Sequence, residues 1–418
     1  MSVSVAATRA APVGLYIHIP FCVSLCPYCD FVVFAGAAAR GPRTKLGAFL
    51  AAVHVELDLR ADALDAAFGS GRARGSGRPP LDTLYLGGGT PSMVPAAELV
   101  ELIGHVRERF GIAGEAEITV EANPGPDERG DAAAFAAAGV TRLSLGAQAL
   151  DDATLTRLGR RHKARDVADA VAEAREAGIP SVSLDLLYDV PDRSLDAWMT
   201  TLEHALELAP DHLSLYALTL DDPDAEGLTG VDGDHLPTTA GARRWREAAR
   251  PLQDEDRAAG QYHHAVHRLA ADDWHGYEIS NWARPGHESR HNLAYWERKP
   301  YEAVGPGAHA FDGVTRRWNA ARLEGYLAAL TPVGGSEPQL PPGGGEAVGG
   351  ATAAAERVIL GLRTSRGIPL TASHEPPLAD VFGWAVTMEL VDVTPDDRIV
   401  LTTRGRLLSN ELFSRLIG

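Results

Sequence analysis

All three cysteines of this 418-residue chain fall between positions 22 and 29, in Phe21-Cys22-Val-Ser-Leu-Cys26-Pro27-Tyr28-Cys29. Three thiols crowded into one short loop cannot make a disulfide framework. In a cytosolic chain they read as metal or redox chemistry. Structural zinc takes four ligands, commonly in two separated pairs, and the sequence has no second pair. An iron-sulfur cluster is normally held by four thiolates, so the C-x3-C-x2-C spacing predicts a cluster with one iron open to another ligand.

A second pattern, His287-Glu288-Ser289-Arg290-His291, matches the helical H-E-x-x-H zinc signature. It follows Pro285-Gly286, a turn signal, and the further residues of the extended zinc-protease pattern are missing, so a zinc protease is not expected. The overlapping His291-Asn292-Leu-Ala-Tyr295-Trp296 sets an imidazole beside rings that can pack on a flat cofactor. The competing reading makes Tyr295 and Trp296 core residues and His291 a local hydrogen-bonding group. His263, His264 and His267 read as a solvated helix face.

Six short apolar, β-branched runs could position these groups: 15–20, 83–88, 118–123, 142–148, 182–190 and 213–220. Each is followed by an Ala-rich amphipathic stretch, the pattern of repeated βα units. The expected fold class is α/β, a partial (β/α)6 barrel with a small C-terminal helical, winged-helix-like domain. The strand ends carry the cysteine loop, Gly87-Gly88-Gly89-Thr90-Pro91, Glu121-Ala-Asn123-Pro124 and Gln148, and Asp185 lies inside the fifth run. Active sites of parallel barrels sit at that face, so these residues predict one pocket. No Lys-Ser or Lys-Thr follows the glycines, which excludes a P-loop; the expectation is bare backbone approached closely by a ligand.

The division expected is 1–225 for the barrel, 226–330 for a connecting region with the His291 motif, and 351–418 for the small domain, which includes a hairpin at 391–402. Gly- and Pro-rich breaks at 69–80 and 331–350 read as flexible surface connections. The small domain has seven Arg against eight Asp or Glu, so it lacks a basic footprint, and a packing or partner-binding role is expected. The whole chain has 39 Lys and Arg against 56 Asp and Glu, a net charge of −17. That disfavours general binding of nucleic acid or anionic lipid. Without a long apolar run or a basic-then-apolar leader, no stable membrane insertion is expected and the expected location is cytoplasmic.

Five segments together resemble the radical S-adenosylmethionine (SAM) superfamily and, within it, oxygen-independent coproporphyrinogen III oxidases and their relatives. They are Leu15-Tyr16-Ile-His18-Ile-Pro20-Phe21-Cys22, Leu86-Gly-Gly-Gly-Thr-Pro91, Arg142-Leu-Ser-Leu-Gly-Ala-Gln148, Leu184-Asp185-Leu-Leu-Tyr188 and Val304-Gly-Pro-Gly-Ala-His309. The resemblance runs from about Gly14 to the C-terminus. It implies that Cys22, Cys26 and Cys29 ligate a [4Fe-4S] cluster flanked by Tyr16. It also implies that Gly88, Gly89 and Thr90 bind the methionine part of SAM, with Tyr28, Glu121, Gln148, Arg160 and Asp185 completing the pocket.

Two departures from the oxidase pattern stand out. Phe31 occupies the position where the oxidases carry a further cysteine, and only about fifteen residues precede Tyr16. Both are similar to the HemW family of heme chaperones, as is the His291-Asn292-x-x-Tyr295-Trp296 stretch. This resemblance implies heme binding with His291 contributing, most simply as an axial ligand, and transfer of heme to recipient hemoproteins. It also implies no coproporphyrinogen III oxidase activity. The rival functions are that oxidative decarboxylation and an Elongator-like radical SAM modification of nucleic acid, which the acidic charge disfavours.

Overall fold

Alternation of period two runs through the barrel strands and puts apolar side chains on one face and polar ones on the other. In the computed structural model, which describes residues 8–70, 77–221, 223–332, 334 and 336–417, both faces are covered. Leu84, Leu86, Val120, Leu145, Val182, Leu184 and Leu213 are wholly buried in one hydrophobic core with the surrounding helices. The intervening positions Tyr85, Glu121, Ser144, Ser183, Asp185 and His212 are joined to one another by hydrogen bonds or to neighbouring polar groups across the strands.

The strands are β1 (Gly14–Ile19), β2 (Leu81–Gly88), β3 (Ile112–Ala122), β4 (Arg142–Gln148), β5 (Ser181–Tyr188) and β6 (His212–Ala217). They pair in parallel in sequence order. Parallel pairing needs crossovers, supplied by helices such as Leu46–Phe68, Ala96–Arg109, Ala132–Ala138, Ala164–Glu176 and Leu195–Glu207. Several of these begin at a side-chain cap; Asp131 accepts from Ala134 N at 3.0 Å and Ser194 from Ala197 N at 3.2 Å.

The region 226–330 joins this sheet. A seventh strand, β7 (Tyr301–Val304), lies parallel to β1 on its free edge, with Gly14 opposite Tyr301 and Ile17 opposite Val304. At the other edge Asn281–Ala283 runs antiparallel to β6. Beyond β7 come His309–Phe311, Thr315–Asn319 and Gly343–Ala347, all antiparallel. The last lies inside the 331–350 break, which is therefore partly sheet and not simply a flexible connection. Its glycines fit a packing need, because a Cβ on Gly344 would overlap the Trp318 ring. In the 69–80 break, positions 71–76 lie outside the described residues; Arg78 is pinned by Nε on Asp65 at 2.9 Å and Nη1 on the Phe110 carbonyl at 2.7 Å.

The C-terminal unit has helices Gly350–Arg363, Phe382–Thr387, Thr403–Leu407 and Ser409–Ile417 around a three-stranded sheet of Ile368–Pro369, Arg398–Leu401 and Val391–Val393. Leu362, Leu378, Leu390, Ile399 and Leu412 form its separate core. Arg298 Nε, just past the His291 helix, donates to Glu356 of this unit at 2.9 Å. Among the described residues, no helix is long and apolar enough to cross a membrane.

Candidate cluster and cofactor site

The cysteine loop leaves the C-terminal end of β1 and is fastened at both ends. Phe21–Cys22 pairs in parallel with Phe34–Ala35, and Phe34 N donates to the Pro20 carbonyl at 2.6 Å. Arg246, nearly buried on helix Ala240–Ala249, holds the middle. Its Nε donates to the Pro27 carbonyl and its Nη2 to the Cys29 carbonyl, both at 3.0 Å, and Nη2 also meets Asp30 at 2.8 Å. Nothing in the sequence marks Arg246, since its partners in the cysteine loop lie more than 200 positions away.

A chain of polar contacts links two of the thiols across the strand ends. Cys22 Sγ lies 3.2 Å from Thr90 Oγ1, which accepts from Asn123 Nδ2 at 2.9 Å. Asn123 Oδ1 accepts from Arg160 Nη2, and Arg160 Nη1 reaches Cys26 Sγ at 3.5 Å. Arg160 Nη2 also donates to the Gly146 carbonyl at 2.8 Å. Asn123 joins the two halves but was absent from the expected site residues; its position in Glu121-Ala-Asn123-Pro124 was the available signal. Burial pushes the Cys22 and Cys29 thiols up to about 12.

The donor set suits a cluster: three thiols from one fastened loop, a guanidinium beside one of them, and Tyr28 Oη buried without a hydrogen-bond partner among the described residues. No three His, Cys, Asp or Glu side chains among the described residues are placed to share a single metal ion. A cluster sends each thiolate to a different iron and needs them farther apart than a mononuclear site does. The H-E-x-x-H pattern is no zinc site, because His287 and Glu288 precede the helix Arg290–Trp296, capped by Ser289. His263 and His267 are exposed on helix Glu255–Ala270, as read from the sequence, but His264 is half-buried, its Nε2 enclosed without a hydrogen-bond partner among the described residues.

The glycine turn is packed closely against the first strand and the cysteine loop. Gly88 has φ +109, and a Cβ there would overlap the His18 ring; on Gly89 it would lie 2.6 Å from the Phe21 carbonyl oxygen. The space those side chains would fill is taken by the His18 ring of β1 and by the backbone of Ile19 and Phe21. The turn's N–H groups are also spent: Gly88 N donates to Glu121 Oε2, Gly89 N to the Ile19 carbonyl and Thr90 N to the Phe21 carbonyl, at 2.8–2.9 Å. Carbonyl oxygens are what this backbone has to offer.

Glu121 takes a second hydrogen bond from Tyr85 Oη at 2.7 Å, and burial pushes its carboxyl up to about 7. Asp185, also raised by burial, accepts from Ser144 Oγ at 3.3 Å. Gln148 ends β4 past a register irregularity with φ +65, a costly conformation of the kind that collects at functional sites. Tyr16 Oη contacts His18 Nδ1 at 3.0 Å, and His18 Nε2 the Val32 carbonyl at 2.8 Å.

His291 packs against Tyr85 and Tyr16 of this group, its ring centroid 6.5 Å from that of Tyr16. Its ring is 1% exposed, stacked on Tyr85 at 5.1 Å, with Nδ1 2.8 Å from Thr83 Oγ1 and Nε2 2.7 Å from Tyr295 Oη. Thr83 is five residues before Gly88, roughly 17 Å along the strand. Both ring nitrogens of His291, expected as an axial ligand, are hydrogen-bonded within the protein, and burial holds the imidazole neutral, down to about 3. Tyr295, which His291 supports, does line a cavity of about 300 Å³ together with Tyr16, Tyr301, Phe31, His235 and His309. Phe31 is 66% exposed at this cavity.

An open parallel sheet with a three-cysteine loop at the end of its first strand defines a radical SAM protein, and the Radical SAM superfamily model matches residues 16–205. The heme chaperone HemW of Mycobacterium tuberculosis is 36% identical over 409 residues, 97% of this chain and 95% of the relative. HemW of Bacillus subtilis is 30% identical over 96% of this chain and 98% of its own. The chain belongs to the HemW family. Its fold resembles that of coproporphyrinogen III oxidase (HemN) from Escherichia coli, with TM-score 0.77 and 22% identity over 98% of this chain and 91% of that one.

The half-buried Glu121 carries its own pH signature. Its carboxyl is raised from 4.5 to about 7, so stability from the protonated form is present below about 4.5 and is lost as pH rises toward 7. Glu121→Gln, which keeps an acceptor but cannot ionise, is expected to raise the melting temperature of the cofactor-free chain more at pH 8 than at pH 5. Equal effects at both pH values would show that Glu121 is not held in this way.

Proposed function

We propose that the chain is a heme chaperone that holds a [4Fe-4S] cluster on Cys22, Cys26 and Cys29, binds SAM beside it, and passes heme to recipient hemoproteins. The observation that carries the cluster and SAM reading is the polar chain from Cys22 through Thr90, Asn123 and Arg160 to Cys26, which fixes thiols and strand ends as one unit. Family membership supports the heme reading. When bound, the cluster supplies an electron and one iron open to the amino and carboxylate groups of SAM.

The protein's own groups have separate tasks. Carbonyl oxygens of the Gly88-Gly89 turn would accept from the N–H groups of the SAM amine, and Glu121 positions that turn through the Gly88 N–H. Gln148 and Asp185 suit ribose hydroxyls. Arg160 sets the strand ends and places positive charge beside Cys26. Tyr16 and Tyr28 close the site with apolar rings. Glu121→Gln is expected to weaken SAM binding about tenfold with iron content unchanged, because the turn that Glu121 holds through Gly88 N is held less firmly. Calorimetry beside iron analysis checks this, and unchanged affinity would place SAM elsewhere.

Phe31 at the cavity, where a further cysteine would stand in the oxidase pattern, supports transfer over oxidative decarboxylation. The expected result of anaerobic reconstitution with SAM, reductant and coproporphyrinogen III is no protoporphyrinogen IX, while heme titration gives a bound Soret spectrum and heme passes to an apo-hemoprotein. Product formed over many turnovers would make the chain an oxidase. A net charge of −17 predicts no salt-sensitive RNA binding.

A further inference from the structure

Asp234 carries one histidine on each carboxylate oxygen: Oδ1 is 2.9 Å from His235 Nδ1, and Oδ2 is 2.8 Å from His309 Nε2. The second nitrogen of each ring, His235 Nε2 and His309 Nδ1, has no hydrogen-bond partner among the described residues, and both rings line the cavity behind Phe31. A carboxylate behind an imidazole fixes its tautomer and aims the other nitrogen's lone pair, the support that metal-bound histidines have. The two rings share one anchor but differ in rigidity. His309 begins the strand His309–Phe311, opposite Trp318, and its ring stacks on Trp318 at 5.9 Å and 23°. His235 sits in a loop.

The remaining walls mix aromatic and polar groups. Tyr16, Tyr295, Tyr301 and Val32 line the cavity beside His18 and Asp30, and Phe31 leaves an aromatic ring largely in solvent for a bulky planar ligand to cover. About 300 Å³ accommodates the iron and part of the macrocycle, leaving an edge outside where a recipient can take it. We propose that His309 is the protein ligand to heme iron, aimed by Asp234, and that His291 acts one layer behind by holding Tyr295 in the cavity wall. This rests on the heme-binding reading above.

Heme titration of the full-length reconstituted chain, read by Soret absorbance and EPR of the ferric state, tests the assignment. Wild type is expected to show histidine-ligated heme. His309→Ala should lose that ligation spectrum and bind at least tenfold more weakly, and His309→Gly with added imidazole should regain it. Asp234→Asn should keep the ligation at roughly tenfold lower affinity, as loss of a supporting carboxylate predicts. His291→Ala should weaken affinity with the ligation spectrum unchanged. Circular dichroism on each variant confirms matched folding.

A wild-type spectrum in His309→Ala, or loss of ligation in His291→Ala or His235→Ala with His309→Ala unaffected, overturns the assignment while leaving heme binding intact. Wild type that binds no heme overturns both readings.

Discussion

Replacing Cys22, Cys26 and Cys29 together by alanine is expected to take iron and acid-labile sulfide from about four of each per chain to background after anaerobic reconstitution, with loss of the reduced-cluster EPR signal. No other cysteine exists to substitute for them. The barrel should survive, because none of the three thiols belongs to the hydrophobic core. The loop is also held independently by the Phe21–Cys22 and Phe34–Ala35 pairing and by Arg246. Matched circular dichroism would separate loss of ligands from loss of fold. A full complement of iron in the triple variant would remove the loop from cluster binding.

Glu56→Ala is expected to cost about 3 to 5 kcal/mol of stability, the range for breaking a buried ion pair from one side. Glu56 is fully buried in helix Leu46–Phe68. Arg60 Nη2 lies 3.2 Å from its Oε1, with Asn319 Nδ2 at 2.8 Å. Gly305 N at 2.9 Å and Tyr326 Oη at 2.8 Å complete the set on Oε2. Alanine would strand the Arg60 guanidinium, only 10% exposed, with four donors lacking their acceptor. Urea unfolding of the cofactor-free chain measures the cost. A change below about 1 kcal/mol, the scale of an exposed pair, would mean that water already reaches this network. Because Gly305 leads from β7 to His309, the same variant is expected to blunt heme ligation.

The local features were legible early because their determinants are contiguous. Three cysteines at C-x3-C-x2-C define the loop, the period-two runs define the strands, and Gly88-Gly89-Thr90 marks a turn after β2. The purpose of those glycines was not legible: the space they leave is taken by the His18 ring and the Phe21 backbone, which arrive from a strand some seventy positions earlier. Nor was β7, whose four residues resemble a loop until β1 supplies the ladder.

The sequence by itself determined the three-cysteine loop, the βα order and the HemW-like departure at Phe31, since each is carried by neighbouring residue types. Tertiary structure alone decided the surroundings of the histidines. His291 and His309 are both motif residues separated by eighteen positions. Packing closes the first between Thr83 and Tyr295 and leaves the second facing a cavity on Asp234, 75 positions away. A histidine's role depends on which of its two nitrogens remains free, and that is settled by partners brought across the sheet, not by its neighbours in the chain.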